Sequence, residues 1–159
     1  MVDIMYKHCE INDEFISLHD CRVTKVLYDK GILTFIFNEG FYICKDHPDN
    51  KINKIVLTDK AEVRFNLVCD GLEDVTIYVF KEKIKKTIRE EWDLSRLMEY
   101  INDKGCALEI LYRYDGYNSI IIECCLWSKK KPYHRECELR LSLKDEKYFW
   151  NELCEECEW

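Results

Sequence analysis

The sequence predicts an α+β fold, mainly antiparallel β. The expected form is a meander sheet, or a partly open barrel or sandwich, of about eight strands. One helix, 93–104, is expected on one face of it. Three observations carry this reading. Residues 15–44 run strand, turn, strand, turn, strand. Residues 61–69 and 134–143 alternate apolar and polar side chains with the two-residue period of a half-buried strand. Residues 93–104 place apolar side chains at helical spacing behind a capping residue.

In chain order, residues 1–14 are a polar lead-in. The segments 16–28, 32–38 and 41–44 are rich in β-branched and aromatic residues, divided by Asp29-Lys30-Gly31 and Asn38-Glu39-Gly40. Three residues ending in Gly suit a hairpin whose last loop position needs positive φ. The first two segments carry apolar residues on both faces, so cover is expected on both sides. Asp46 to Asn50 is a loop by composition, and 52–58 is a strand. In 61–69, Val63, Phe65 and Leu67 face in while Glu62, Arg64 and Asn66 face out. Asp70-Gly71 is a turn signal, after which 75–81 pairs back. Residues 81–91 stay open between helix and strand, because the charges are dense and Ile84 and Ile88 stand four apart.

Asp93 is the expected N-cap of the helix. Leu94, Leu97, Met98 and Ile101 form its stripe, and Gly105 its left-handed C-cap. Residues 106–114 and 117–127 then make a hairpin around Asp115-Gly116. Lys129 to Lys131 form a basic loop. In 134–143, Cys137, Leu139, Leu141 and Leu143 face in. Residues 145–153 read as a short helix carrying Tyr148, Phe149 and Trp150. Residues 154–159 are an acidic tail. No linker interrupts the chain, so 1–159 is read as one domain.

Composition narrows the function classes. With 47% apolar and 13% aromatic residues, a chain of 159 residues buries a core without a metal or disulfide staple. No apolar run approaches the ~20 residues a membrane helix needs. The first residues, Met-Val-Asp-Ile-Met-Tyr-Lys, hold no hydrophobic signal core, which points to a cytoplasmic protein. The net charge of −7 repels phosphate backbones, so nucleic acid is not an expected partner and a basic protein is. Ten cysteines in a reducing compartment are read mostly as small apolar packing residues.

Several residue sets invite chemistry. Cys154 and Cys157 have metal-ligand spacing, as do His134 with Cys137 and Cys44 with His47. Two such pairs brought together would hold a tetrahedral zinc. Neither Cys pair sits in a Gly-containing turn, and Glu155 and Glu156 oppose thiolate formation. Cys154, Cys157, His134 and Cys137 therefore stand as metal candidates, with no metal or other cofactor assigned. His19 and Asp20 point to opposite faces of a strand and cannot share a metal; Asp20 is expected to make a bend or a backbone hydrogen bond. His19 and Cys21 share a face, as a thiolate nucleophile and its base would. Nothing nearby supplies an oxyanion hole, so no catalytic residue is assigned. The basic runs Lys81, Lys83, Lys85, Lys86, Arg89 and Lys129 to Lys131 lack interleaved aromatics and read as solvated surface and edge protection. There is no Gly-rich phosphate loop, Gly-x-Ser-x-Gly or His-Glu-x-x-His. Tyr112, Tyr114, Tyr117, Trp127 and Tyr133 gather around the second hairpin. Tyr114, Tyr117, Trp127 and Tyr133 are the expected partner-binding residues, the competing role being the second face of the sheet.

The run Leu18-His19-Asp20-Cys21 leading into the Asp29-Lys30-Gly31 hairpin, with Gly40-Phe41-Tyr42-Ile43 after it, resembles small uncharacterised bacterial proteins. Some of these are immunity proteins of polymorphic toxin systems. The similar part covers residues 16–44 and the ending 148–153. The resemblance implies a cytoplasmic, acidic, non-catalytic protein that blocks a toxin, and it assigns no functional residue.

Three readings follow, in this order. The first is a non-catalytic binding or inhibitor protein, immunity-like, that meets a basic partner through an acidic, aromatic-containing surface. The second is a β-rich module whose two-faced strands line a small-ligand cavity. The third is a zinc or thiol enzyme using the Cys/His pairs.

Overall fold

In the computed structural model, residues 5–69 and 72–156 are described. The expected turn at Asp70-Gly71 lies outside them, as does Cys157. The early strands are β1 (His8–Glu10), β2 (Ile16–Ser17), β3 (Arg22–Val23), β4 (Lys25–Asp29), β5 (Ile32–Phe37), β6 (Tyr42–Ile43), β7 (Val56–Thr58) and β8 (Ala61–Leu67). Then come β9 (Val75–Lys83), β10 (Lys86–Trp92), the helix α1 (Leu94–Met98), β11 (Ala107–Gly116), β12 (Ser119–Trp127), β13 (His134–Trp150) and β14 (Leu153–Cys154). Among the described residues the fold is mostly antiparallel β, as the alternation predicts, with one α-helical segment and a 3-10 turn at Leu72–Asp74.

Ten strands form one sheet along the path β3-β11-β12-β13-β8-β5-β4, with β1 and β9 also on β13, and β10 on β9. Its ends, β3 and β4, are separated in the chain only by Thr24. Strand β13 is the spine. Its first half lies between β12 and β9, and its second half between β8 and β1. A second sheet of four short strands runs β14-β7-β6-β2. Short pairings of two or three residues carry too little pattern to be seen in sequence, so the count exceeds the expected eight.

The first hairpin forms as expected, but its loop is two residues. Asp29 pairs with Ile32, and Lys30 and Gly31 both have positive φ, 46° and 80°. The third segment of the meander does not stay in its sheet. At Gly40 the φ is 79°, and a Cβ there would collide with the Thr58 carbonyl, so only glycine lets the chain cross so close to β7. The following β6 enters the second sheet.

One open segment is decided and several expectations change: 75–81 pairs with β10 and β13 rather than back on β8. Residues 81–91 form the β9–β10 hairpin, with Lys83 opposite Lys86. Residues 145–150 are strand, not helix, because β13 continues through a register shift between Leu143 and Asp145. The second hairpin turns at Tyr117-Asn118, two residues beyond Asp115-Gly116, with Asn118 at φ 52°. The lead-in contributes β1, and 52–58 is strand only from Val56.

The helix keeps its predicted caps and stripe. Asp93 accepts the Arg96 backbone N–H at 2.7 Å; Leu94, Leu97 and Ile101 are buried, and Met98 packs against the core. After Met98 it widens into a π-turn, Glu99–Asp103, and stops before Gly105 at φ 66°. That widening presents Asn102 to strand β4. Its Nδ2 donates to the Val26 carbonyl at 2.7 Å, and its Oδ1 accepts the Val26 N–H at 2.9 Å. One amide thus substitutes for a neighbouring strand on the open edge of β4. Asn102→Ala is expected to cost about 1–3 kcal/mol, because it strands both backbone groups of Val26. Hydrogen exchange at Val26 should accelerate with it.

Candidate functional site

Two β-bulges build the most distinctive polar site. Before Leu111, strand β11 buries Leu108 and Ile110; the shift between Ile110 and Tyr112 then turns Arg113 inward. The shift in β13 does the same there: Leu139, Leu141 and Leu143 are buried before it, Glu146, Tyr148 and Trp150 after it. Arg113 and Glu146 meet as a result. Arg113 Nη1 donates to Glu146 at 2.9 Å and to the Tyr148 hydroxyl at 3.0 Å, and Tyr148 donates to the other Glu146 oxygen at 3.0 Å. Arg113 Nε and Nη2 reach Asp115 Oδ1 at 2.9 and 2.7 Å, and Asp13 stands 3.7 Å from Nη1.

Burial raises the Glu146 carboxyl above its usual range, and Arg113 with the Tyr148 hydrogen bond offsets this only in part. Burial also works against the Arg113 charge, but Tyr148, Glu146 and Asp115 outweigh it, so the guanidinium is held above its usual range. Desolvation raises the Tyr148 phenol further. The Arg113 guanidinium and the Tyr148 phenol, both pushed up from already high values, keep their protons near neutrality.

A cavity of about 300 Å³ opens beside this cluster, between segment 13–19 and β11. Its walls include Ile16, Leu18, Ile110 and Ile122, with Asp13, His19 and Arg113 supplying polarity. His19 Nδ1 lies 2.5 Å from the Leu111 carbonyl and its ring is 5.7 Å from that of Tyr112. Asp20 has φ 61°, and its N–H donates to the Ile110 carbonyl at 2.7 Å, the bend and backbone bond expected of it; but 19–20 is a turn, not a strand, and Asp20 Oδ2 lies 3.4 Å from His19 Nε2, so the two side chains do not point to opposite faces.

Tyr112, on the cavity wall, and Tyr114 and Tyr117 beyond it are 57%, 52% and 95% exposed, on one hairpin and beside Asp115. Strand β3 pairs with β11 only at Leu108 and Glu109, so among the described residues the outer half of β11 has no strand on that side. The other two expected binding aromatics lie at the far end of β12. Trp127 is half-buried, with the Arg22 guanidinium 5.3 Å from its ring and the His134 ring at 5.4 Å. Tyr133 is exposed in the loop that follows. The predicted set therefore divides between two ends of the molecule, and Tyr112 joins Tyr114 and Tyr117. Sequence reasoning missed Arg113 and Glu146; their only signal is a charged residue breaking the alternation of each strand.

The metal candidates do not converge. His134 is exposed, while Cys137, three residues on, is buried opposite Cys124 with its thiol pushed up to about 12 by burial. Cys154 is disulfide-bonded. His47 is buried and already engaged, with Glu10 at 3.2 Å from Nε2 and the Asp49 N–H donating to Nδ1. No group of three ligand side chains that could hold a metal occurs among the described residues. Cys21 is buried, its thiol raised by desolvation to about 12, and its Sγ faces the carbonyls of Ser17 and His19 rather than an imidazole. A Cys–His nucleophile is therefore not assembled. No helix among the described residues is long and apolar enough to cross a membrane.

No family model, curated protein or solved structure matches this chain.

Proposed function

We propose that this chain is a non-catalytic binding protein, immunity-like in role, that captures a basic protein partner. The surface we assign is the outer half of β11 with the β11–β12 turn. One observation carries the reading: three exposed tyrosines share that hairpin with Asp115 and, across the cavity mouth, Asp13. Tyrosine offers large contact area at low entropy cost, and carboxylates around it steer a cationic partner. The free edge of β11 adds backbone groups that a partner strand can bond.

The test is affinity capture from the native host. A basic protein should be retained at low salt and released as screening shortens the Debye length below about 5 Å. Tyr114→Ala/Tyr117→Ala should reduce retention at least about tenfold, the loss of one or two hot spots, with unchanged thermal melting because both side chains are exposed. Background binding alone at every salt concentration removes the proposal. A small-ligand role is the second reading, favoured by the apolar cavity of about 300 Å³. A raised melting temperature with a small apolar ligand, abolished by Ile122→Trp, would put it first.

A further inference from the structure

Strand β10 is an outer strand whose side chains are sorted by sign. It pairs with β9 from Lys86 with Lys83 to Trp92 with Ile77, and among the described residues no backbone bond is made on its other side. Lys83, Lys85 and Lys86 gather at its hairpin end, where Lys83 sits opposite Lys86. All three are exposed, and none has an ion pair among the described residues. Like charges face to face without a carboxylate beside them are unfavourable. At the other end Glu91 is likewise exposed and unpaired among the described residues. Its neighbour Glu90 accepts from Lys81 at 2.7 Å and from Trp92 Nε1 at 3.2 Å, and a carboxylate has lone pairs to spare beyond two such bonds. This order is its own complement. Turned about Ile88, the segment meets its own reverse with Lys85 opposite Glu91, Lys86 opposite Glu90, Thr87 opposite Arg89 and Ile88 opposite itself. A slip of two residues one way sets Arg89 opposite its own copy, and the other way sets Lys85 opposite Arg89.

We propose that this edge binds a second copy of the chain: two β10 strands pair antiparallel around a twofold axis at Ile88 and continue the sheet from one copy into the next. The unpaired row of N–H and C=O groups on each strand is satisfied by the other. In a twofold interface each contact occurs twice, so Lys85–Glu91 and Lys86–Glu90 fix the register from both ends. An unrelated strand has no reason to carry this order of charges, whereas a second copy carries it by symmetry. The chain's net charge of −7 opposes association at long range, but residues 85–91 hold Lys85, Lys86 and Arg89 against Glu90 and Glu91, a local +1. The pairing is short, so the dimer is weak and reversible. It leaves the tyrosine surface open, because β11 and β10 lie at opposite ends of the row β11-β12-β13-β9-β10.

Sedimentation velocity of the intact chain in reductant, over about 5–500 μM, tests this. A monomer–dimer equilibrium is expected within that range. Lys85→Glu and Glu91→Lys, both at exposed positions, each set like charges opposite one another twice. Each alone should weaken self-association at least about tenfold with unchanged circular dichroism. Mixed one to one, the two variants carry opposite charges at both contacts and should associate about as strongly as wild type. The register has its own readout. Opposed residues of an antiparallel pair lie within disulfide reach, so Ile88→Cys should cross-link to a dimer with oxidised glutathione, while Thr87→Cys and wild type should not. A monomer at every concentration, undiminished association of either single variant, no recovery in the mixture, or equal cross-linking from Thr87→Cys would each overturn the proposal.

Discussion

Arg113→Ala is expected to lower the unfolding free energy by about 3–5 kcal/mol at pH 7, the range for removing one partner of a buried ion pair. Glu146 is 7% exposed, and Arg113 is its cationic partner. With the guanidinium gone, burial acts on the carboxyl with less opposition, and its protonation moves to still higher pH. The sign of the pH dependence follows. A carboxyl whose folded value lies above its unfolded value contributes stability that is present below the unfolded value and lost as pH rises through the folded one. The deficit of the variant should therefore shrink as pH falls from neutrality toward the ordinary carboxylate range of about 4. Glu146→Gln in the Arg113→Ala background should restore part of the loss at pH 7. Urea titrations of the two single variants and the double variant, at pH 7 and pH 5, measure this. A deficit equal at both pH values, with no rescue by Gln, would show that the pair is not a buried charge contact.

Phe41→Ala should cost a similar amount, about 3–5 kcal/mol, by a different route. Phe41 is completely buried where the chain leaves β5 for the second sheet. Its ring stands edge-on to Phe37 at 6.1 Å, and to Tyr148 and Trp150 at 5.9 Å each. Its N–H donates to Thr58 Oγ1 at 3.1 Å, and its carbonyl accepts the Thr58 N–H at 2.9 Å. Truncation leaves a cavity among side chains fixed by two sheets, which cannot close around it. Amides of β6 and β7 should lose hydrogen-exchange protection before those of β8. A Phe41→Leu variant should lose distinctly less, since most of the volume remains. Equal losses for Ala and Leu would mean that ring geometry, not filled volume, sets the cost.

Much of this architecture is legible wherever a regular period survives. The apolar face of strand β8 reads correctly because Val63, Phe65 and Leu67 alternate without interruption and are all buried, but Glu62, expected outside, is buried too and accepts from Tyr6 and Arg64. Asp93, Leu97 and Ile101 locate the helix because cap and stripe agree. The misreadings lie where a bulge changes the rule. Counting by twos from Cys137 puts Asp145, Lys147 and Phe149 inside, which no strand of a core would accept, so 145–153 looks helical. One extra residue near Lys144 restores sense by burying Glu146, Tyr148 and Trp150 instead. Leu111 does the same in β11 and hides Arg113 from any periodic reading. Asp115-Gly116 is a sound turn signal by composition, but pairing along β12 continues to Ser119, and the loop forms where Asn118 tolerates positive φ.

Strand β13 has a consequence for how the chain is made. It joins β1, β8, β9 and β12, and all four precede it. A growing polypeptide that ends before His134 has four ribbon flanks waiting for one late arrival, and neither side of the structure can close early. Synthesis thus runs ahead of assembly. The nascent protein passes through a stage with sticky borders on display, when a chaperone that masks exposed strands would matter most.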